Sequence, residues 1–328
     1  MRHYTPRMRS KDGRREFCQT LVLGTAAAAV WGQRWPGATV LAQAPAPAAT
    51  PAPLTVTKLS DTLIEISGGG SNCVAVTSAD GVALMDGGLP DRSADILARV
   101  ATETGGKPIK LLVNTHWHLD HTGSNEAVGK AGGKILAHAN TKRWLSSTVV
   151  VEAQNRTYQP RPTEAIPTET FTTPGKLTFG TTRIEYGPLP PGHTNGDMYV
   201  FFPDANVLMV SDALAVGRYP VMDYSTGGWI GGMIDSNSTL LTIGDANTRI
   251  VPGAGPLQTK ADLQAQHDML VTVKARVETM LRQGKGLPDV VAAMPTKEFD
   301  AKFGKPDLFL SMTYTGLQRH TQEAGGVL

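Results

Sequence analysis

The sequence predicts one α/β domain in which two β-sheets pack face to face and helices cover both outer faces, a four-layer αββα sandwich. Two sets of short strands joined by tight turns predict the sheets, and segments with apolar residues at helical spacing follow each set. The chain has 328 residues, of which 41% are hydrophobic and 18% charged. This composition provides a large core and argues against disorder.

The first half of the domain is predicted to begin with an antiparallel sheet. Short apolar segments alternate with turn residues from residue 54 onward, and an apolar strand at 109–113 leads directly into a polar loop. The predicted strands are 54–58, 62–67, 72–77, 82–85, 109–113 and 134–138, and the predicted helices are 91–104 and 123–131.

The second half repeats this pattern after an irregular, proline-containing stretch at 145–167. The predicted strands are 175–179, 181–186, 197–202, 206–210 and 248–251, and the predicted helices are 229–243 and 260–283. The last of these helices is amphipathic, which suits a position on the outside of a sheet.

The first 44 residues are predicted to be an export signal peptide. Arg14 and Arg15 precede a short apolar run at 21–30, and small residues follow at Ala42-Gln43-Ala44. Paired arginines before such a run resemble a twin-arginine signal, which implies a periplasmic or secreted protein. Residues 45–53 are predicted to be a Pro/Ala-rich spacer, and 54–328 the folded domain. The alternative is an Ala/Pro-rich tail without a targeting function.

Charge, the length of the apolar run and cysteine content argue against nucleic-acid binding, a stable membrane anchor and a disulfide bond. Residues 1–44 hold seven of the 31 Lys and Arg residues and two of the 29 acidic residues, so the remainder has 24 basic and 27 acidic residues and carries about −3. Such a charge does not favour nucleic-acid binding. The apolar run is too short for a stable membrane anchor. Cys18 lies in the predicted signal, so Cys73 is predicted to be a buried, unpaired thiol.

The strongest functional signal is His116-Trp117-His118-Leu119-Asp120-His121, directly after a predicted strand. Along extended chain the side-chain period is two, so His116 and His118 can point the same way. Neutral imidazole is the preferred nitrogen ligand of Zn²⁺, and three protein ligands with an open position are typical of catalytic zinc sites. The alternative is a solvated polar loop.

This H-x-H-x-D-H motif resembles that of the metallo-β-lactamase superfamily. The resemblance extends to Asp86, to the turn Pro191-Gly192-His193-Thr194 and to Ser211-Asp212, and it spans residues 54 to about 256. It implies the four-layer fold already predicted from the element pattern.

The resemblance also implies a role for each of these residues. His116, His118 and His193 would hold a first zinc ion. Asp120 and His121 would belong to a second metal position, with Asp212 as a bridge between the two. Asp86 would brace the ligand loop through hydrogen bonds, as residues behind metal ligands commonly do.

The sequence departs from the family pattern at residue 254. Relatives with a Pro-Gly-x-Gly-Pro turn after the last core strand usually have His at its centre as a ligand of the second metal. Here the turn reads Pro252-Gly253-Ala254-Gly255-Pro256. Since a methyl group cannot bind zinc, the expectation is one firmly held Zn²⁺ and a second that is weak or absent.

The resemblance implies a zinc-dependent hydrolase in which an activated water attacks the carbonyl of a small-molecule substrate. Asp120 would orient the water or accept its proton. Esters, lactones, thioesters and β-lactams remain open as substrates, as does the oligomeric state. Two alternatives remain: a mononuclear iron oxidoreductase resembling the sulfur dioxygenases of this superfamily, and a non-catalytic relative with a degraded second metal site.

Two loops are candidates for substrate specificity. One is 145–167, with Trp144 and Tyr158 nearby, and the other is 217–231, which contains Tyr219, Tyr224 and Trp229. Aromatic, glycine-containing loops often form pocket walls, although ordinary surface packing accounts for these residues equally well.

Overall fold

A computed structural model of the protein describes residues 52–323. The predicted export signal and nearly all of the predicted spacer lie outside these residues, so both remain predictions. Within 52–323, no helix combines the length and apolarity needed to cross a membrane.

The first sheet has seven strands in the order β1-β2-β3-β4-β5-β6-β9. Strands β1 to β4 pair antiparallel, whereas β4, β5, β6 and β9 pair parallel. The strands are β1 (Thr55–Lys58), β2 (Leu63–Ser67), β3 (Cys73–Thr77), β4 (Val82–Met85), β5 (Ile109–Asn114), β6 (Lys134–His138) and β9 (Glu169–Phe171). A separate hairpin consists of β7 (Val149–Val151) and β8 (Arg156–Tyr158).

The second sheet has five strands in chain order, antiparallel except for the parallel pair β13–β14. They are β10 (Gly175–Phe179), β11 (Thr182–Pro188), β12 (Met198–Phe202), β13 (Val207–Ser211) and β14 (Arg249–Pro252). The burial pattern along β12 shows how the sheet is oriented. Met198, Val200 and Phe202 lie in the core between the sheets, while Tyr199 and Phe201 pack toward the helices on the other face.

Helices cover the outer face of each sheet. The helices are α1 (Ser93–Thr104), α2 (Leu119–Thr122), α3 (Asn125–Lys130), α4 (Ala139–Leu145), α5 (Ile230–Leu241), α6 (Lys260–Arg282), α7 (Leu287–Ala292), α8 (Asp300–Phe303) and α9 (Asp307–Glu323). Ile96 and Val100 of α1 pack on the first sheet. Leu270 and Val273 of α6 pack on the second. The predicted four-layer αββα arrangement is therefore confirmed.

The structure differs from the predicted elements mainly near the site. The predicted helix at 123–131 is two short helices, α2 and α3, separated at Gly123, where a Cβ would overlap the backbone of Gly88 and Leu89. The stretch 145–167 contains the β7–β8 hairpin, and α4 and β9 flank it without having been predicted. These elements are only a few residues long, so their apolar period is too brief to be recognised.

Cys73 lies fully buried in β3 and has no disulfide partner among the described residues. Burial, followed by the charge of Asp86, raises the pKa of its thiol to about 12. A thiol that stays protonated at neutral pH is a poor nucleophile or ligand. The prediction that Cys73 is an inert core residue is confirmed.

Truncation of the core between the sheets should be costly. Phe202 is fully buried there, and replacing a buried Phe with Ala typically lowers the free energy of unfolding by about 3–5 kcal/mol. We expect Phe202→Ala to show such a loss in urea denaturation. The partly exposed Val271→Ala on α6 should change stability by less than about 1 kcal/mol. Equal losses in the two variants would contradict this view of the core.

Candidate metal centre

The site lies where four strands of the two sheets end. Asp86 follows β4, His116 follows β5 by two residues, Asp212 follows β13, and Gly253 follows β14. Parallel strands within a sheet end at the same edge, so the pairs β4–β5 and β13–β14 each deliver two loops to one place. His193 comes from the turn between β11 and β12.

Three imidazole rings come together where these strands end. His116 Nε2 lies 3.1 Å from His118 Nδ1, and His118 Nδ1 lies 2.8 Å from His193 Nε2. Ligand nitrogens around a tetrahedral zinc, at the usual Zn–N distance of about 2.0–2.1 Å, are about 3.3 Å apart. These two distances are close to the spacing that a bound zinc ion requires, and the ligand atoms of all three residues lie within 4.8 Å of one another.

The remaining ring nitrogens determine which atoms carry lone pairs. His193 Nδ1 lies 2.7 Å from the Val221 carbonyl oxygen, which can only accept a hydrogen bond, so this nitrogen donates. His118 Nε2 lies 3.2 Å from Asp223 Oδ2 and donates to that carboxylate. In the neutral rings, His118 Nδ1 and His193 Nε2 therefore carry lone pairs.

Two bare nitrogens 2.8 Å apart repel each other unless a cation lies between them. The donor set consists of three imidazoles, of which His118 and His193 are fixed from behind, and neutral imidazole is the nitrogen ligand that zinc prefers. The residues present at this site therefore fit a metal ion.

A second group of possible ligands adjoins the first and shares His116 with it. His116, His121 and Asp212 have ligand atoms that all lie within 4.8 Å of one another. Asp212 faces both groups, since Oδ1 lies 3.6 Å from His121 Nε2 and Oδ2 lies 3.4 Å from His193 Nε2. Asp120 Oδ2 lies 3.7 Å from His121 Nε2, and its side chain is 43% exposed.

Asp86 is fully buried beneath the ligand loop. Its carboxylate accepts hydrogen bonds from Thr115 N and Oγ1, both at 2.8 Å, and from His121 Nδ1 at 2.7 Å. Thr115 Oγ1 also lies 2.8 Å from Ser211 Oγ at the end of β13. This network joins the ends of β4, β5 and β13 and turns His121 Nε2 toward Asp120 and Asp212.

Asp86 and Ser211 have backbone φ angles of 60° and 51°. Left-handed conformations are uncommon for residues other than glycine and cluster at functional sites. At both positions the chain leaves a strand, and the unusual conformation directs a polar side chain into the network around Thr115.

The charges of the buried groups depend on one another. Burial, reinforced by the neighbouring histidines, lowers the pKa of His116 well below its usual value, so this ring is neutral. Burial opposes ionisation of His121 as well, but the charges of Asp86, Asp120 and Asp212 outweigh it and raise the pKa of His121. Burial would raise the pKa of Asp212, but the histidines, led by His121, lower it well below its usual value.

The turn that carries His193 is held by Asp197, a residue that sequence reasoning missed. Its carboxylate accepts hydrogen bonds from His193 N, from Thr194 N and from Thr194 Oγ1 at 2.6–3.0 Å. The signal available in the sequence was an acidic residue four positions after a predicted ligand, typical of a turn closed by a side chain.

Asp223 was also missed, and it lies behind His118. It accepts hydrogen bonds from Ser225 N and from Thr226 Oγ1, and Thr226 in turn accepts one from Trp117 Nε1. Burial opposes ionisation, but the hydrogen bond from His118 lowers the pKa of Asp223. No spacing in the sequence connects Asp223 with His118, although it falls within the predicted specificity loop 217–231.

The departure at residue 254 lies beside the second group. A Cβ at Gly253 would overlap Asp212 Oδ1, so the turn passes directly against this carboxylate. Ala254 lines a neighbouring cavity together with Glu65 and Asn72. The metal-ligand roles predicted from the sequence remain predictions for all six residues, His116, His118, Asp120, His121, His193 and Asp212.

A cleft of about 640 Å³ opens over the metal centre. His118, Asp120, His193 and Asp212 lie on its floor or walls, and Arg156 and Arg218 line it as well. A smaller pocket of about 200 Å³ adjoins it and shares three of its residues. Trp117, Trp144, Leu145 and Tyr158 line this aromatic pocket, so both predicted specificity loops border the cleft.

The sequence family described as the metallo-beta-lactamase superfamily matches residues 66–266. The chain belongs to this superfamily. The match covers the H-x-H-x-D-H motif and every residue of the two ligand groups. At the level of the superfamily, this membership together with the histidine cluster indicates a metal-dependent hydrolase.

Solved structures with the same fold include a metallo-beta-lactamase from Pontibacter korlensis, at 21% identity and a TM-score of 0.56 over 66% of this chain and 99% of that one. The DIM-1 metallo-beta-lactamase is 19% identical, with a TM-score of 0.54 over 67% and 97% of the two chains. The inverting sec-alkylsulfatase Pisa1 from a Pseudomonas species has 17% identity and a TM-score of 0.64, over 84% of this chain and 55% of that one. No curated protein matches the sequence.

Removing the charge behind His118 should weaken metal binding. Loss of a hydrogen-bonded partner of a metal ligand typically lowers metal affinity by about 10- to 100-fold. We expect Asp223→Asn to bind zinc at least about tenfold more weakly in competition with a chromophoric chelator. Asp235→Asn, on the exposed face of α5, is the matched control and should bind like the wild type. Unchanged affinity in Asp223→Asn would show that the carboxylate does not support the ligand.

Proposed function

We propose that the protein is a zinc-dependent hydrolase that cleaves a carbonyl substrate. The observation that supports this most directly is the convergence of ring nitrogens from His116, His118 and His193, with His118 Nδ1 at 3.1 Å from His116 Nε2 and 2.8 Å from His193 Nε2. Such a site, when zinc is bound, lowers the pKa of a bound water to about 7 and so supplies a nucleophile at neutral pH.

The protein's own residues provide the remaining functions. Asp120 lies at the floor of the cleft with a partly exposed carboxylate, where it can orient a water molecule or accept its proton. The backing groups of His118 and His193 hold these rings in single orientations. Trp117 is buried against His118, and this packing restricts water on the protein side of the rings.

We propose further that only the first metal position is firmly held. The second group offers His121, Asp120 and Asp212, and the turn that contributes a histidine in relatives has Ala254 here. Zinc affinity depends on the number of protein ligands, so the second position is weaker. Export through the predicted twin-arginine-like signal would deliver the folded, metal-loaded protein to the periplasm.

Metal content tests this proposal directly. After dialysis, mass spectrometry should find about one zinc per chain in the wild type, and more in Ala254→His if the new imidazole reaches the second position. Two tightly held ions in the wild type would contradict the assignment of a weak second site. Iron in place of zinc would instead support the oxidoreductase alternative.

The cleft favours an anionic substrate. Arg156 and Arg218 are exposed on its wall, and neither has an ion pair or side-chain hydrogen bond with any described residue. Arg156 lies over the ring of Tyr158, 4.7 Å from its centroid, at the border with the aromatic pocket. We therefore propose a substrate with a carboxylate or similar anion near the scissile carbonyl and an apolar group for the aromatic pocket.

A substrate panel tests both the activity and this preference. The zinc-loaded protein should hydrolyse at least one β-lactam, lactone, thioester or aryl ester, and His193→Ala should abolish that activity. For a carboxylate-bearing substrate, Arg218→Gln should raise KM by about tenfold with little change in kcat, because a charge-assisted hydrogen bond is lost.

Two controls accompany the panel. Arg218→Gln should leave KM and kcat unchanged for a neutral analogue of the same substrate. Arg282→Gln on α6 should leave both constants unchanged for both substrates. An equal loss with the neutral analogue would rule out an anion-binding role for Arg218. Absence of turnover with every carbonyl substrate would refute the hydrolase proposal itself.

A further inference from the structure

A cavity of about 690 Å³, separate from the cleft over the metal centre, lies beside the glycine-rich turn between β2 and β3. The edge strand β1 and its neighbour β2 form one wall, and residues 254–257 of the turn after β14 form another. Gly70 borders both this cavity and the cleft over the metal centre. None of the possible metal ligands lines the cavity beside the glycine-rich turn.

The lining is mainly polar on the side of the first sheet. The alternation of side chains along β1 and β2 places Thr55, Thr57, Glu65 and Ser67 on the same face, where Thr57 pairs with Glu65 and Thr55 with Ser67. This face continues the one that carries the buried Leu63 of the core between the sheets. A carboxyl group therefore stands where the apolar core ends and the cavity begins.

Glu65 is a buried acid without a partner. The residue is 2% exposed, its Oε1 has no hydrogen-bond partner, and its side chain forms no ion pair or hydrogen bond with any described residue. Burial raises its pKa to about 7. An unpaired buried carboxyl is costly, and native structures normally satisfy such a group.

The other buried acidic side chains among the described residues accept hydrogen bonds from neighbouring groups. Asp86 accepts from Thr115 and His121, Asp197 from the backbone of the His193 turn, and Asp223 from His118 and Thr226. Glu65 is the exception, and it faces a cavity large enough for a ligand. No lysine or arginine lines this cavity, so the charge of the ionised Glu65 is not balanced from its walls.

We propose that this cavity binds the ammonium group of a primary amine, with the Glu65 carboxylate as its counter-ion. An ionised carboxylate can only accept hydrogen bonds, so its complement is a donor, and a cation offsets the cost of keeping the charge buried. An ammonium has three N–H donors, and the hydroxyls of Thr57 and Ser67 provide further acceptors. The proposal is independent of the hydrolase activity.

The turn opposite Glu65 has the shape that such a site needs. Asn72 Nδ2 donates to the carbonyls of Pro252 and Gly255, at 3.1 and 2.8 Å, and fixes the turn against β3. Ala254, with its small side chain, lines the cavity from this turn. The cavity wall facing the carboxylate is thus held in place and free of bulky side chains at this position.

Isothermal titration of the zinc-loaded protein with n-butylamine at pH 8 tests the proposal. At this pH the Glu65 carboxylate is ionised and the amine is protonated. The wild type should bind the amine, whereas 1-butanol, which has the same chain and no charge, should bind at least about tenfold more weakly. Glu65→Gln should weaken amine binding by at least about tenfold. Glu164→Gln, which removes one exposed carboxylate outside the cavity, should bind like the wild type.

A second variant tests the proposal independently in case Glu65→Gln does not fold. Thr57→Phe places a large ring on the exposed edge strand directly across from Glu65 and should also abolish amine binding by filling the cavity. Circular dichroism and zinc content identify folded variants. Amine binding that persists in either folded variant would place the ligand elsewhere, such as on the metal, and overturn the proposal. No binding by the wild type, or equal binding of 1-butanol, would also overturn it.

Discussion

The structure of the site depends on three imidazole rings whose nitrogens are held close together. His118 Nδ1 lies within 2.8–3.1 Å of ring nitrogens of both His116 and His193. The surrounding chain must hold these rings at this spacing. The Val221 carbonyl and the Asp223 carboxylate supply that constraint from behind, and they do so by fixing which nitrogen of each ring is protonated.

The constraint reaches the strands through a small number of side chains. Thr115 connects Asp86 on one strand end to Ser211 on another, so the two sheets are joined at the point where the ligands emerge. The left-handed conformations of Asp86 and Ser211 cost of order 1–3 kcal/mol each. Such conformations persist only where the surrounding packing determines them, which the fully buried strands β4 and β13 do.

The fold and part of the site could be predicted from the sequence, and the reasons are physical. Period-two alternation and tight turns predicted the long strands, and His116, His118 and His121 were visible because they are adjacent in the chain. Asp223 was not, since it is 105 residues from His118 and only folding brings them together. Glu65 could have been noticed, because the alternation that buries Leu63 also buries the residue two positions later. Its missing partner, however, is a property of three-dimensional packing.

The turn at 252–256 connects the two sites, and its two sides have different requirements. Gly253 must lack a side chain because Asp212 occupies the space of its Cβ, so the turn cannot move toward the metal centre. Asn72 holds the same turn from the first sheet through hydrogen bonds to backbone carbonyls, which do not depend on the side chain at 254. The path of the turn therefore does not depend on the side chain at position 254. On the side of the cavity, Ala254 leaves a wall without a bulky side chain at this position.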